Sequence, residues 1–133
     1  MGAMTDVARD TLEEVHRLGR VSRVNILIVG PMPASDRDEV LRTVSRQRGF
    51  DVFHAQGPAE FLLPSCSDVI LVLDDASQLT RAHQVRLLEW VNRNHVQIVS
   101  FASRSLYAMV SEQTFIDRLY YQLNTLCVII GKG

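Results

Sequence analysis

The 133-residue chain contains a single lysine, Lys132, and nowhere gathers lysine and arginine into a run. With a net charge of -1 at pH 7 and a pI near 6.4, it offers polyanions neither an overall field nor a local basic stripe. Direct nucleic-acid binding is therefore not expected. Cysteine is also scarce. Cys66 and Cys127 stand 61 positions apart with no CxxC and no histidine at ligand spacing, so both read as reduced thiols in a cytosolic setting. No apolar run approaches about 18 residues, and the amino terminus lacks the basic-then-apolar order of a secretory signal. The expectation is a cytoplasmic protein with no membrane partner.

Motifs of common catalytic and metal sites are missing as well. His16, His54, His83 and His95 fall on separate elements with no i, i+4 pair, so no metal site is expected. Ser65, Ser67 and Ser100 lie in no GxSxG elbow, which leaves a serine-hydrolase reading unsupported. The aromatics Trp90, Phe101, Tyr107, Tyr120 and Tyr121 follow helix and strand spacing and read as core or interface, not as a platform for stacking bases.

What is present is 47% apolar composition in a length that suits one domain. The opening "MGAM" reads as a vector remnant over residues 1–3, with the domain running over 4–133. "TLEEVHRLGRVS" from Thr11 spaces Leu12, Val15 and Leu18 as a short leading helix. "VNILIV" is a doubly buried strand closed by Gly30. After Pro31 and Pro33, "SDRD" offers Ser35 as N-cap of a helix to about Arg48, with Val40, Leu41 and Val44 inward. "FDVFHAQ" and "DVILVLDD" are the next strands. "TRAHQVRLLEWVNRN" is a helix capped by Thr80 that turns Gln84, Leu87, Leu88 and Val91 to one side. "VQIVSFAS" is a fourth strand, "SEQTFIDRLYYQLN" one helix built on Phe115, Leu119 and Leu123, and "TLCVII" a fifth strand.

Apolar strands alternating with helices predict an α/β fold, a mostly parallel five-stranded sheet between two helical layers. Ligands of such sheets bind beyond the strands' carboxyl ends, and that edge collects Gly30, Asp74, Asp75 and Ser103. A receiver-like signalling domain fits the length and rhythm too, with Asp74 as phosphoacceptor. It lacks the acidic pair expected after the first strand, and its only lysine lies beyond the position such a domain uses.

Three segments in order, "LVLDDASQLTRAHQVRLLEWV", "VQIVSFASRSLYAMV" and "QTFIDRLYYQLNTL", resemble the ATPase core of the NtrC-type enhancer-binding proteins, the AAA+ activators of sigma-54 transcription. Those proteins carry "LFLDE", "VRVIAATNRDL" and "GRFREDLYYRLNVL" at the matching places. The similarity spans about Thr11 to Leu126. It implies an AAA+ P-loop-like sheet of order 5-1-4-3-2.

The departures fall on the family's chemical groups. Its phosphate loop reads "GESGTGKE". Here "GPMPASDRDE" puts Asp36 at the lysine, Pro33 and Ser35 at the inner glycines, and Arg37 one residue off as the nearest cation. Glycines let backbone N–H groups turn toward phosphates and the lysine offsets their charge, whereas proline lacks an N–H and Asp repels. Asp74 matches the family's Mg²⁺-organising Asp, Asp75 replaces its water-polarising Glu, and Ser103 its phosphate-sensing Asn. Arg104 and Leu106 persist. Ile116 and Gln122 stand at the trans-acting arginines, whose charge speeds phosphoryl transfer, and Arg118 sits at an Asp position. Asp36 and Asp74 are 38 positions apart, too few for the sigma-contacting "GAFTGA" loop, and the chain ends at "IIGKG", where the family continues into a helical lid. The resemblance thus implies a degenerate, truncated core with no catalytic residues and no cofactor, working as a regulatory or scaffolding module. Its expected partner is a protein, either itself or an intact AAA+ activator. The alternative is weak nucleotide binding without efficient hydrolysis, through Gly30, Asp74, Asp75 and Ser103.

Overall fold

The computed structural model describes residues 24–56 and 60–130, together with Glu13. The leading helix read from Thr11, Glu13 apart, the remnant at 1–3 and Lys132 lie outside the described residues.

Five strands are laid down: β1 (Ile26–Val29), β2 (Asp51–His54), β3 (Val69–Leu73), β4 (Ile98–Ala102) and β5 (Leu126–Ile129). The helices are α1 (Ala34–Arg48), α2 (Arg81–Arg93), α3 (Leu106–Ser111) and α4 (Asp117–Leu123), with a 3₁₀ turn at Ala76–Gln78. Every ladder is parallel, in the order β2-β3-β4-β1-β5, so that Leu27 aligns with both Ser100 and Cys127. This is the 5-1-4-3-2 sheet of AAA+ proteins. It overturns the receiver-like alternative, because a receiver-type sheet runs 2-1-3-4-5 with β1 between β2 and β3. Here β1 lies between β4 and β5.

The strands are apolar throughout because both faces are covered. On one face Ile26, Ile28, Ile70, Val72, Val99 and Phe101 pack under Val40, Leu41 and Val44 of α1. On the other, Leu27, Leu71, Leu73, Ile98 and Ala102 pack under Leu87 of α2, Leu106 and Met109 of α3, and Leu119 and Leu123 of α4. No described helix is long and apolar enough to cross a membrane.

Helix starts divide by what their first residues can do. Thr80 caps α2 as read, its Oγ1 accepting from His83 N–H at 3.1 Å. Ser35 does not cap α1. The helix begins at Ala34 with Pro33 in the cap position and no side-chain cap bond, while the Asp36 and Arg37 N–H groups donate to Pro33 O, both at 3.0 Å. Proline's fixed φ is compatible with that position, so the first turn forms two residues earlier than a serine cap predicts. At the other end Gly49, at φ 73, closes α1 in the left-handed region and donates to Ser45 O at 2.8 Å.

The helix read over "SEQTFIDRLYYQLN" is shorter, only Asp117–Leu123, and a separate helix that sequence did not indicate, α3, precedes it. α3 ends at Ser111, Gln113 turns left-handed at φ 65, and α4 starts at Asp117. The break is held by buried Gln84, which donates to Leu79 O and Thr114 O at 3.1 Å each and accepts from Ile116 N–H at 2.9 Å. Phe115 is buried from this loop instead of from a helix face.

Between β2 and β3 the chain is pinned flat. Gln56 and Phe61 form an antiparallel bridge, and Leu62 N–H donates to Ala55 O at 2.8 Å. α2 holds this segment from outside: His83 stacks on Phe61 at 4.7 Å, Arg86 Nη1 donates to Phe61 O at 3.1 Å, and Trp90 Nε1 donates to Pro64 O at 3.2 Å.

Candidate functional site

The parallel register brings the exits of β1, β3 and β4 to one edge of the sheet. Gly30 leaves β1 with its N–H on Ala102 O at 2.8 Å, which joins the exits of β1 and β4 directly. Asp74 and Asp75 follow β3 and Ser103 follows β4, so the residues read from sequence as one edge do share it.

Within that edge they separate into two groups. Asp75 is the centre of the first. Its Oδ1 accepts from the Ser77 N–H at 3.1 Å, the Ser77 hydroxyl at 2.5 Å and the Ser103 N–H at 3.1 Å, and its Oδ2 accepts from the Ser103 hydroxyl at 2.7 Å. Burial pushes this carboxyl up, but the donors from Ser77 and Ser103 together outweigh it and hold Asp75 below the usual carboxylate value. The side chain caps the 3₁₀ turn and ties β3 to β4. Gln56 clamps the same residue's backbone, accepting from Asp75 N–H at 2.7 Å and donating to Asp75 O at 2.9 Å.

Asp74 belongs to the second group. His54, at the exit of β2, meets its Oδ1 at 2.9 Å and its Oδ2 at 3.2 Å. Arg37 reaches over from α1, donating from Nη1 to Asp74 O at 3.2 Å with its guanidinium 4.9 Å from the centre of the Phe101 ring. Its Nε is buried without a hydrogen-bond partner. Sequence reasoning missed His54 and Gln56. The signal for His54 was its place at the exit of a strand that neighbours β3; nothing local marked Gln56.

The loop from Gly30 to α1 carries no cation. Asp36, at the expected lysine position, is 7% exposed in the first turn of α1. Gly30 sits at φ 118, and a Cβ there would lie 2.2 Å from Ile130 O. Close packing against Ile130, the residue after β5, is enough to require a glycine at this position. The remaining residues singled out by sequence are scattered. Ile116 lies at the start of α4, whereas Gln122 near its end accepts from Asn25 Nδ2 through its carbonyl at 2.7 Å. Arg104 faces Glu112 at 3.5 Å on the surface, Arg118 is exposed, and Leu106 is core. A cleft of about 440 Å³ opens at the α3–α4 junction, lined by Arg81, Val110, Gln113, Phe115, Ile116 and Asp117, and shares none of these with the strand-exit groups.

The sequence profile of the sigma-54 interaction domain matches residues 44–132, more than half of the chain. The chain belongs to this family. The match begins inside α1, so the segment from Gly30 to Arg37 lies upstream of it. Among curated proteins none matches. Among solved structures the chain is similar to NtrX from Brucella abortus in complex with ATP, with TM-score 0.74 and 21% identity over 98% of this chain and 37% of that one. It is also similar to the P-loop NTPase domain of the sigma-54 transport activator from E. coli, with TM-score 0.61 and 17% identity over 91% of this chain and 96% of that one. A DNA polymerase III gamma-subunit-related protein from Thermotoga maritima follows, with TM-score 0.55 and 12% identity over 92% and 46%. At these identities the likeness is one of fold. This chain spans little more than a third of NtrX.

Proposed function

We propose that this sigma-54 interaction domain acts without ATP hydrolysis, as a cytoplasmic module that binds another protein in bacterial signalling or transcription control. The carrying observation is the buried Asp36 in the first turn of α1, where the resemblance places the phosphate-binding lysine. A carboxylate there opposes a triphosphate, and Pro31 and Pro33 remove two backbone donors from the same loop. Two further features support the reading. The Gly30 requirement is met by Ile130 packing, and all the described bonds to the Asp75 carboxylate come from the protein's own serines. The partner in this reading is a second copy or an intact AAA+ activator, whose assembly such a subunit would join without contributing a lysine or an arginine finger.

One observation favours a second reading, weak nucleotide binding through Gly30, Asp74, Asp75 and Ser103. Arg37 holds its guanidinium at the same edge with Nε unpaired. Isothermal titration with ATP and Mg²⁺ separates the two. Millimolar nucleotide that produces neither heat nor a thermal shift supports the non-catalytic reading. Saturable binding that weakens on Arg37→Ala substitution supports the second, and phosphate release above a buffer blank removes the first.

A further inference from the structure

Among the described residues β5 pairs only with β1, so its far side is a free sheet edge. Proteins normally guard such an edge with charge, proline or a bulge. The opposite edge, β2, carries exposed Asp51 and His54. β5 has no such guard. From Leu119 through Ile130 there is no charged residue, no proline and no glycine, and Cys127 and Ile129 are exposed along the strand. Beside it lies an aromatic cluster. Tyr120 sits 5.4 Å from Tyr121 and 6.4 Å from Tyr107, and Tyr107, Tyr121 and Ile129 are 67%, 70% and 74% exposed. Leu126 and Val128 pack toward the α1 side of the sheet, so Cys127 and Ile129 alternate to the other side, the one against which Tyr120 packs, which puts strand and cluster on one face.

We propose that this surface is a self-association site, at which β5 pairs antiparallel with β5 of a second copy and the tyrosines pack along the seam. The inference rests on the interaction reading above and names its partner. A twofold contact places a surface against itself, so it must tolerate its own charges. An uncharged strand does, whereas the β2 edge carries a charged Asp51 whose desolvation a self-contact would have to offset. Area points the same way. Aromatic side chains bury about 150–250 Å² each, so the two exposed tyrosines supply roughly a third to a half of the approximately 800 Å² per partner of a standard interface, with Ile129 and the strand edge adding to it. The contact is therefore a reversible dimer, held by main-chain bonds of the strand-addition kind.

Sedimentation of the full chain across a wide concentration series tests this. The 15.0 kDa chain should shift toward twice its mass as concentration rises. Ile129→Lys and Tyr121→Lys, both at exposed positions, should each weaken the dimer tenfold or more, whereas Asp51→Lys at the β2 edge should leave it unchanged. In a Cys66→Ser background, a short bis-maleimide should join two copies through Cys127, and Ile129→Lys should abolish the product. A monomer at every concentration, or a dimer indifferent to both lysine variants, overturns the proposal. Neither result touches binding to an intact activator, which a separate titration with that protein measures.

Discussion

Ser103 takes both oxygens of Asp75, its hydroxyl donating to Oδ2 at 2.7 Å and its N–H to Oδ1 at 3.1 Å. The exit of β4 is thereby tied to the exit of β3, at the edge where open parallel sheets take their ligands. Here the same positions form a brace.

The brace makes stability depend on pH in a definite direction. Asp75 is held below its ordinary value in the folded state by Ser77 and Ser103 against the opposing effect of burial. A carboxyl with a depressed folded pKa contributes stability above its unfolded value, about 3.9, and that contribution is lost as pH falls through the lower folded value. Ser103→Ala should cost about 1 kcal/mol at pH 7, a charge-assisted bond discounted for solvent screening. The variant and wild type should converge in urea denaturation as the medium is acidified below the folded pKa of Asp75. A loss that stays constant to low pH would place the effect elsewhere than on the carboxylate.

Gly30→Ala tests whether this glycine is a packing residue. The added Cβ meets Ile130 O at 2.2 Å in a backbone conformation, φ 118, that side chains disfavour. Since the obstacle is main chain, it cannot swing aside, and the β1–β5 ladder must shift. The expected cost is roughly 3 kcal/mol. Thermal unfolding and amide exchange at Ile130 N–H, which donates to Val29 O at 2.7 Å, report it.

The ordered parts of the fold were legible where local chemistry and long-range packing agree. "VNILIV" and "DVILVL" read as buried strands because their apolar runs are covered on both faces, and Thr80 read as a cap because its hydroxyl does what an isolated helix start needs. The α3–α4 break was not legible. Its cause is Gln84, about 30 residues upstream, whose amide satisfies Thr114 and Ile116 in place of a continuous helix ladder. Ser35 misled for the opposite reason, since a good capping residue lost to a proline that suits the start of a helix just as well. At the site, sequence placed Gly30, Asp74, Asp75 and Ser103 on one edge but could not divide them, because His54 and Gln56 reach that edge only through β2–β3 pairing.

Gln84→Ala should therefore loosen the junction well beyond the cost of one side chain. Three hydrogen bonds are lost, and the Thr114 carbonyl and Ile116 N–H are left without their described side-chain partner. A loss of about 3 kcal/mol is expected. Faster amide exchange at Ile116 than at β4 residues would show that the opening is local. By contrast Ser100→Ala should stabilise. The Ser100 hydroxyl is fully buried between Leu27 and Leu73 and has no partner, so its removal relieves a desolvated polar group at a gain of about 1 kcal/mol. A higher urea midpoint at unchanged slope is the readout.

Asp36→Lys asks whether one substitution can return ATP turnover to this loop. Residue 36 is 7% exposed and lies in the first turn of α1, and its neighbour Arg37 already places a guanidinium against Phe101 and Asp74 O. A second cation there is largely buried, so the variant should lose about 2 kcal/mol of stability. It should gain no ATPase activity, because the lysine supplies only one part of a phosphate cradle. Pro31 and Pro33 still lack the N–H groups that must turn inward, and Ile116 and Gln122 still stand where the resemblance places the trans-acting arginines. Measured phosphate release at the rate of a buffer blank fits a loop whose backbone has diverged along with its charge. Turnover above that blank would mean the charge alone had been at fault, and the argument from Pro31, Pro33, Ile116 and Gln122 would fail.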